Sequence, residues 1–175
     1  MYLESGTIVA EETYALSNSG KFTMNNGTIR SFGGITTSGT TIINGGTVEG
    51  TNDYSISSSG STTINGGTIT NAVSNAMTNS NGTITINGGK VESTISEAIK
   101  VSNGYHTIGH LVVNGGEIEG QTNGIANTDS GNTIKITGGT IRGLTKNGLN
   151  TTCTTNITGG LIEGATYGVY TTRIT

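Results

Sequence analysis

Carboxylates and cations recur at one position along this chain. Glu49, Glu92, Glu119 and Glu163 each stand three residues after a recurring glycine, and Arg30 and Arg142 hold the same place in other repeats. Two residues earlier in their own repeats, Lys90 accompanies Glu92 and Glu117 accompanies Glu119. Carboxyl pairs on one face do two kinds of chemistry. Spaced roughly 6.5–9.5 Å apart they hydrolyse glycosidic bonds with inversion, and grouped with other oxygens they hold calcium. If repeats stack as parallel strands, the stems of Glu92 and Glu119 lie ~5 Å apart, which makes them the candidate calcium ligands. Lys90, Glu92, Glu117 and Glu119, followed by Arg142, then form a charged square open to a ligand. The plainer and favoured reading is a solvated strand face whose cross-strand ion pairs contribute about 0.2–1 kcal/mol each.

The remaining reactive side chains are sparse. Asp53 and Asp129 are the only aspartates and belong to different repeats, so no aspartate cluster is available for hydrolysis or elimination and no catalytic residue is assigned. Both histidines fall in the run Asn103-Gly104-Tyr105-His106-Thr107-Ile108-Gly109-His110. His106 and His110 would share a face only on a helix, and the glycines argue against one, so a metal site is the lesser reading. Tyr105 is the better contact, because an exposed ring stacks on a sugar while its hydroxyl hydrogen-bonds. Tyr105, His106 and His110 are therefore the candidate ligand-binding loop. Cys153 stands alone, without neighbours in sequence that would lower its pKa, and reads as a small packing residue.

A repeat must position these groups. A block of the form Ile-Asn-Gly-Gly-x-Ile returns with its second glycine at Gly6, Gly27, Gly46, Gly67, Gly89, Gly116, Gly139 and Gly160, at spacings of 21, 19, 21, 22, 27, 23 and 21 residues. Such a period belongs to units that bury their apolar face only by stacking on neighbours. Three apolar columns follow when the units are aligned. The first is Leu3, Met24, Ile43, Ile64, Ile86, Val113, Ile136 and Ile157; the second runs from Ile8 to Ile162; the third runs from Leu16 to Val169. Ile and Val dominate, the stretches alternate, and Gly, Asn and Ser interrupt them, which is the pattern of short strands. With 30 glycines and no 3.6-residue stripe, helix is disfavoured. The expected fold is all-β, a single-stranded parallel β-helix of about eight coils of ~22 residues with three short strands per coil. The 27-residue coil places its excess in the Tyr105 run, which emerges as a loop.

One column has its own chemistry. Asn25, Asn44, Asn65, Asn87 and Asn114 recur at the turn, and Thr137 and Thr158 continue the file. Asn tolerates a left-handed backbone and can bond to the same side chain in the next coil, while Gly supplies positive φ at the corner. A structural ladder is the expectation. A further position, occupied by Tyr14, Tyr54, Asn75, Glu97, Asn147 and Tyr167, is expected to be a half-exposed corner.

The run Ile64-Asn65-Gly66-Gly67-Thr68-Ile69, with strands of the type Tyr54-Ser55-Ile56 or Tyr167-Gly168-Val169, resembles the right-handed parallel β-helix repeats of bacterial adhesin-like, pectin-lyase-like surface proteins. Similar coils occur in phage appendages. The resemblance covers almost the whole chain, and it implies a right-handed solenoid and an extracellular, cell-surface or virion-surface location. The matching residues are core and turn positions, so it implies no particular activity.

Composition bounds the partners. Only 11% of residues are charged and the net charge is -3, which leaves no basic surface for nucleic acid. No apolar stretch approaches the roughly 18 residues of a membrane span, and Met1 to Ala10 carries no leader pattern. Residues 1–175 read as one domain, expected to be a segment of a longer chain, since the repeat already runs at Leu3 and still runs at Val169. Uncapped coils expose strand edges, so end-to-end or flanking-domain contacts are expected. Ice binding would need Thr-x-Thr on one face, and around the second column only Thr68/Thr70 fits. The leading expectation is a non-catalytic extracellular module that binds polysaccharide or a host or cell surface, with no cofactor other than calcium. A structural rod in a surface fibre or phage appendage is the alternative, and a polysaccharide lyase or hydrolase the third.

Overall fold

The computed structural model describes residues 1–102 and 108–172. Among them the chain forms three eight-stranded sheets, each all-parallel. A representative coil runs through Ser61–Ile64 in the first sheet, Thr68–Asn71 in the second and Met77–Asn79 in the third. The path then begins again one layer on. The expected β-solenoid of about eight coils, three strands per coil, is what the chain adopts.

Register is strict. Ile64 pairs with Ile43 on one side and Ile86 on the other, and Ile69 lies between Val48 and Val91. Like residues therefore stack on like, and the three apolar columns close a dry interior. From Met24 to Ile136, Ile29 to Ile141 and Ile35 to Leu149 the column residues are fully buried.

The turn between the first and second sheets explains the glycine period. All eight recurring glycines have positive φ, from 79° at Gly89 to 102° at Gly27. That region penalises any Cβ. Stacking adds a second constraint, since the backbone of one corner sits directly on the next.

Two features are not legible in the columns. A fourth inward file in the first sheet, Phe22, Thr41, Thr62, Ile84, Leu111 and Ile134, is also buried. Where this file is polar it meets buried partners from the third sheet: Asn18 Nδ2 donates to Thr37 Oγ1 and Thr41 Oγ1 at 3.1 Å each, and the Ser58 and Thr62 hydroxyls lie 2.9 Å apart. One inner corner of the early coils is thus a hydrogen-bonded polar seam, which gives buried hydroxyls and amides the partners they require.

The second is the corner position shared by Tyr, Asn and Glu, which is half-exposed as expected at Tyr54 and Glu97 but not at the other coils. Tyr14 and Tyr167 are exposed, but Asn75, Asn123 and Asn147 are buried. Asn75 and Asn123 turn toward Glu97 in the coil between them and donate to its carboxylate.

Candidate functional site

The second sheet brings the charged residues together as the spacing implies. Glu92 pairs in register with Glu119 and Lys90 with Glu117, and Arg142 follows Glu119. Their heads form two groups of ion pairs, one around Lys90 and one around Arg142. Lys90 Nζ lies 3.2 Å from Glu92 Oε2 and 3.9 Å from Glu119 Oε1. Arg142 Nη1 lies 3.4 Å from Glu117 Oε1, and its Nε donates to Glu163 Oε2 at 2.7 Å. Nearer the N-terminus Arg30 Nε reaches Glu49 at 3.2 Å.

Electrostatics follow from this packing. Partial burial pulls the Lys90 ammonium down, but the Glu92 hydrogen bond and the charges of Glu92, Glu119 and Glu117 outweigh it and hold the group above its ordinary value. Glu163 likewise holds Arg142 above its ordinary value. The Lys90 ammonium sits beside both carboxylates of the calcium candidates, supplying the positive charge that a calcium ion would bring. No group of three or more His, Cys, Asp or Glu among the described residues could hold a metal ion.

The loop expectation divides. Tyr105 and His106 lie outside the described residues. His110 does not belong to a loop: it is a strand residue of Gly109–Val113, in register with Thr83 and Thr133, and its Nδ1 lies 2.7 Å from Thr133 Oγ1. The alternation of Gly109-His110-Leu111-Val112-Val113 carries that signal, since Leu111 must point inward. His110 stands on the first sheet and the charged file on the second, so these two candidates lie on different faces.

The Asn ladder is present. Asn44 Nδ2 donates to Asn25 Oδ1 at 2.8 Å, Asn65 to Asn44 at 2.8 Å, Asn87 to Asn65 at 2.8 Å and Asn114 to Asn87 at 2.9 Å. Thr137 Oγ1 continues it onto Asn114 Oδ1, and at the other end Asn25 donates to Glu4 Oε2 at 2.8 Å. Glu4 replaces Asn where the file starts, because a carboxylate accepts the first amide as well as an amide oxygen does.

Sequence reasoning misses the chemistry of Glu97, which it places only as a corner. The carboxylate is half-buried and held by Asn75 Nδ2 at 2.9 Å, Ser96 Oγ at 2.8 Å and Asn123 Nδ2 at 3.3 Å. Burial pushes Glu97 up, but the bonds from Ser96, its own backbone, Asn75 and Asn123 more than offset it, leaving the group below the usual carboxylate range. The sign follows by linkage: the contribution of Glu97 is complete above the ordinary carboxylate range and is lost as pH falls through its lowered value. Thermal unfolding followed by circular dichroism should therefore show melting temperature falling below about pH 5. In Glu97→Gln the neutral-pH melting temperature should drop and this acid limb flatten; an unchanged limb would assign the acid sensitivity to other carboxylates.

Compared with known proteins, the chain matches no family model, and no curated sequence or solved structure shows significant similarity to it.

Proposed function

We propose that this chain is a rigid, non-catalytic β-solenoid segment of an extracellular surface protein or fibre, whose work is to hold other parts at a fixed spacing. The observation that supports the reading is where its polar chemistry is spent. The asparagines from Asn25 to Asn114 bond coil to coil, the charged file from Lys90 to Glu163 pairs across coils, and Glu97 is bound by amides from both neighbouring coils. Groups able to recognise a ligand are used instead to fasten each layer to the next. Stability in such an array is close to a sum of coil and interface contributions, and the polar fastenings add to the apolar ones along the stack.

A second reading, polysaccharide or surface binding, is favoured by one observation. His110 and Thr133 present an imidazole and a hydroxyl on the outer face of the first sheet, beside the coil lengthened by insertion. The test that separates the two is a glycan-array screen of the purified chain, with and without calcium. The rod reading expects no saturable binding in either condition, and in Glu92→Gln a loss of stability below about 1 kcal/mol, the scale of an exposed ion pair. Saturable binding that weakens in His110→Ala or Glu92→Gln would replace the rod by a recognition module.

A further inference from the structure

Six Asn-Gly dipeptides among the described residues have an exposed asparagine: 26-27, 44-45, 65-66, 81-82, 87-88 and 114-115. Asn-Gly is the dipeptide most open to spontaneous deamidation, because no side chain shields the glycine nitrogen. That nitrogen attacks Asn Cγ, the bond from Cγ to the amide nitrogen breaks, and ammonia departs with the proton from the glycine N–H. Water then opens the succinimide at either carbonyl, leaving aspartate or isoaspartate. No oxidant, reductant or enzyme is required.

Exposure and following residue are the same at all six, yet hydrogen bonding sorts them into two groups. Asn44, Asn65 and Asn87 each donate to the asparagine of the preceding coil and accept from the next, and Asn114 donates to Asn87 while accepting from Thr137. Turning any of these side chains toward its own glycine breaks two bonds. Backbone bonding of the nucleophile does not sort the sites: Gly88 N–H donates to Ile64 O at 3.4 Å and Gly115 N–H to Ile86 O at 3.3 Å, but Gly82 N–H also donates to Ile108 O at 3.3 Å, so the difference lies in the side-chain bonds. Asn26 and Asn81 stand outside the ladder. Each already folds its side chain onto the following residue, with Gly27 N–H donating to Asn26 Oδ1 at 2.8 Å and Gly82 N–H to Asn81 Oδ1 at 2.9 Å.

We propose that Asn26 and Asn81 are sites of spontaneous deamidation in the folded chain, and that the ladder preserves Asn44, Asn65, Asn87 and Asn114 as amides. Each conversion adds a negative charge at a coil corner, and isoaspartate adds a backbone atom where the stacking register leaves no room for one. The modification thus marks the age of a molecule at two defined turns while the ladder stays intact.

The test is peptide mapping by mass spectrometry after prolonged incubation of the folded protein in warm, mildly alkaline buffer. Aspartate and isoaspartate should accumulate at positions 26 and 81 at least about tenfold faster than at 44, 65, 87 and 114, a ratio within reach of two lost hydrogen bonds. In denaturant the ratio should collapse toward one. Asn65→Ala, which removes the acceptor of Asn87 and the donor to Asn44, should speed conversion at both while leaving position 114 slow. Equal rates at all six sites in the folded wild-type chain would overturn the proposal, as would faster conversion in the ladder than at 26 and 81. Because the wild-type comparison stands alone, a failure of Asn65→Ala to fold would not shield the idea.

Discussion

Ile86→Asp is expected to abolish the cooperative unfolding transition of the wild-type chain, leaving at most partly folded protein by circular dichroism. Ile86 is fully buried, with Ile64 and Val113 directly above and below it in register. The substitution removes a core side chain, a loss of about 2–5 kcal/mol when the hole cannot collapse. It also places a carboxylate among isoleucines and valines, adding a penalty of several kcal/mol even after relaxation. Together these reach the roughly 5–15 kcal/mol that holds a whole domain folded. The position is mid-solenoid, so the damage falls on two interfaces and divides the stack into halves that must each stand alone. Thr85→Asp provides the control one residue away: Thr85 faces outward between Thr63 and Val112, and its cost should stay near 1 kcal/mol, the scale of surface substitutions. Equal tolerance of both variants would mean that the inward and outward faces of this strand are wrongly assigned.

That assignment is legible in the sequence because parallel in-register stacking turns a repeat into a spatial column. Once Gly67 and Gly89 are aligned, Ile64 must lie over Ile86, Asn65 over Asn87, and Glu92 over Glu119 one coil further. The same logic yields the ion-pair file, since residues two apart on one strand share a face. What stays hidden depends on which way a polar residue points. Thr41 and Thr62 read as ordinary strand threonines, yet they are fully buried because Asn18, Thr37 and Ser58 from the third sheet satisfy them. Threonine fits either face of a strand, so alternation alone does not place it. Glu97 is hidden for a related reason: its partners Asn75 and Asn123 come from the coils on either side, and a charged residue half-buried among amides leaves no mark on hydropathy. His110 is misplaced by coil length alone, which locates an insertion without fixing its end; the last two residues of the run from Asn103 to His110 already belong to a strand.

Gly67→Ala should cost about 2–4 kcal/mol, a large effect for adding one methyl group. Two penalties combine. Gly67 has φ +82°, in the left-handed region that only glycine enters freely, and an alanine there loses roughly 1–2 kcal/mol to its own backbone. The added Cβ would also stand 2.6 Å from Gly46 O and 2.8 Å from Gly45 C, in the corner of the preceding coil. Those atoms are backbone, held at the strand spacing by the bond from Thr68 N–H to Gly46 O at 2.8 Å, so relief requires prying two coils apart. Gly6→Ala separates the penalties. Gly6 has φ +100°, but a methyl group added there would meet nothing within 4 Å, so it should lose only the backbone share. Chemical denaturation of both variants measures the difference, which is the contribution of corner-to-corner stacking itself. If Gly67→Ala were no worse than Gly6→Ala, the glycine period would reflect turn geometry within each coil, and the contact between coils would have to be assigned to the Asn ladder and the apolar columns alone.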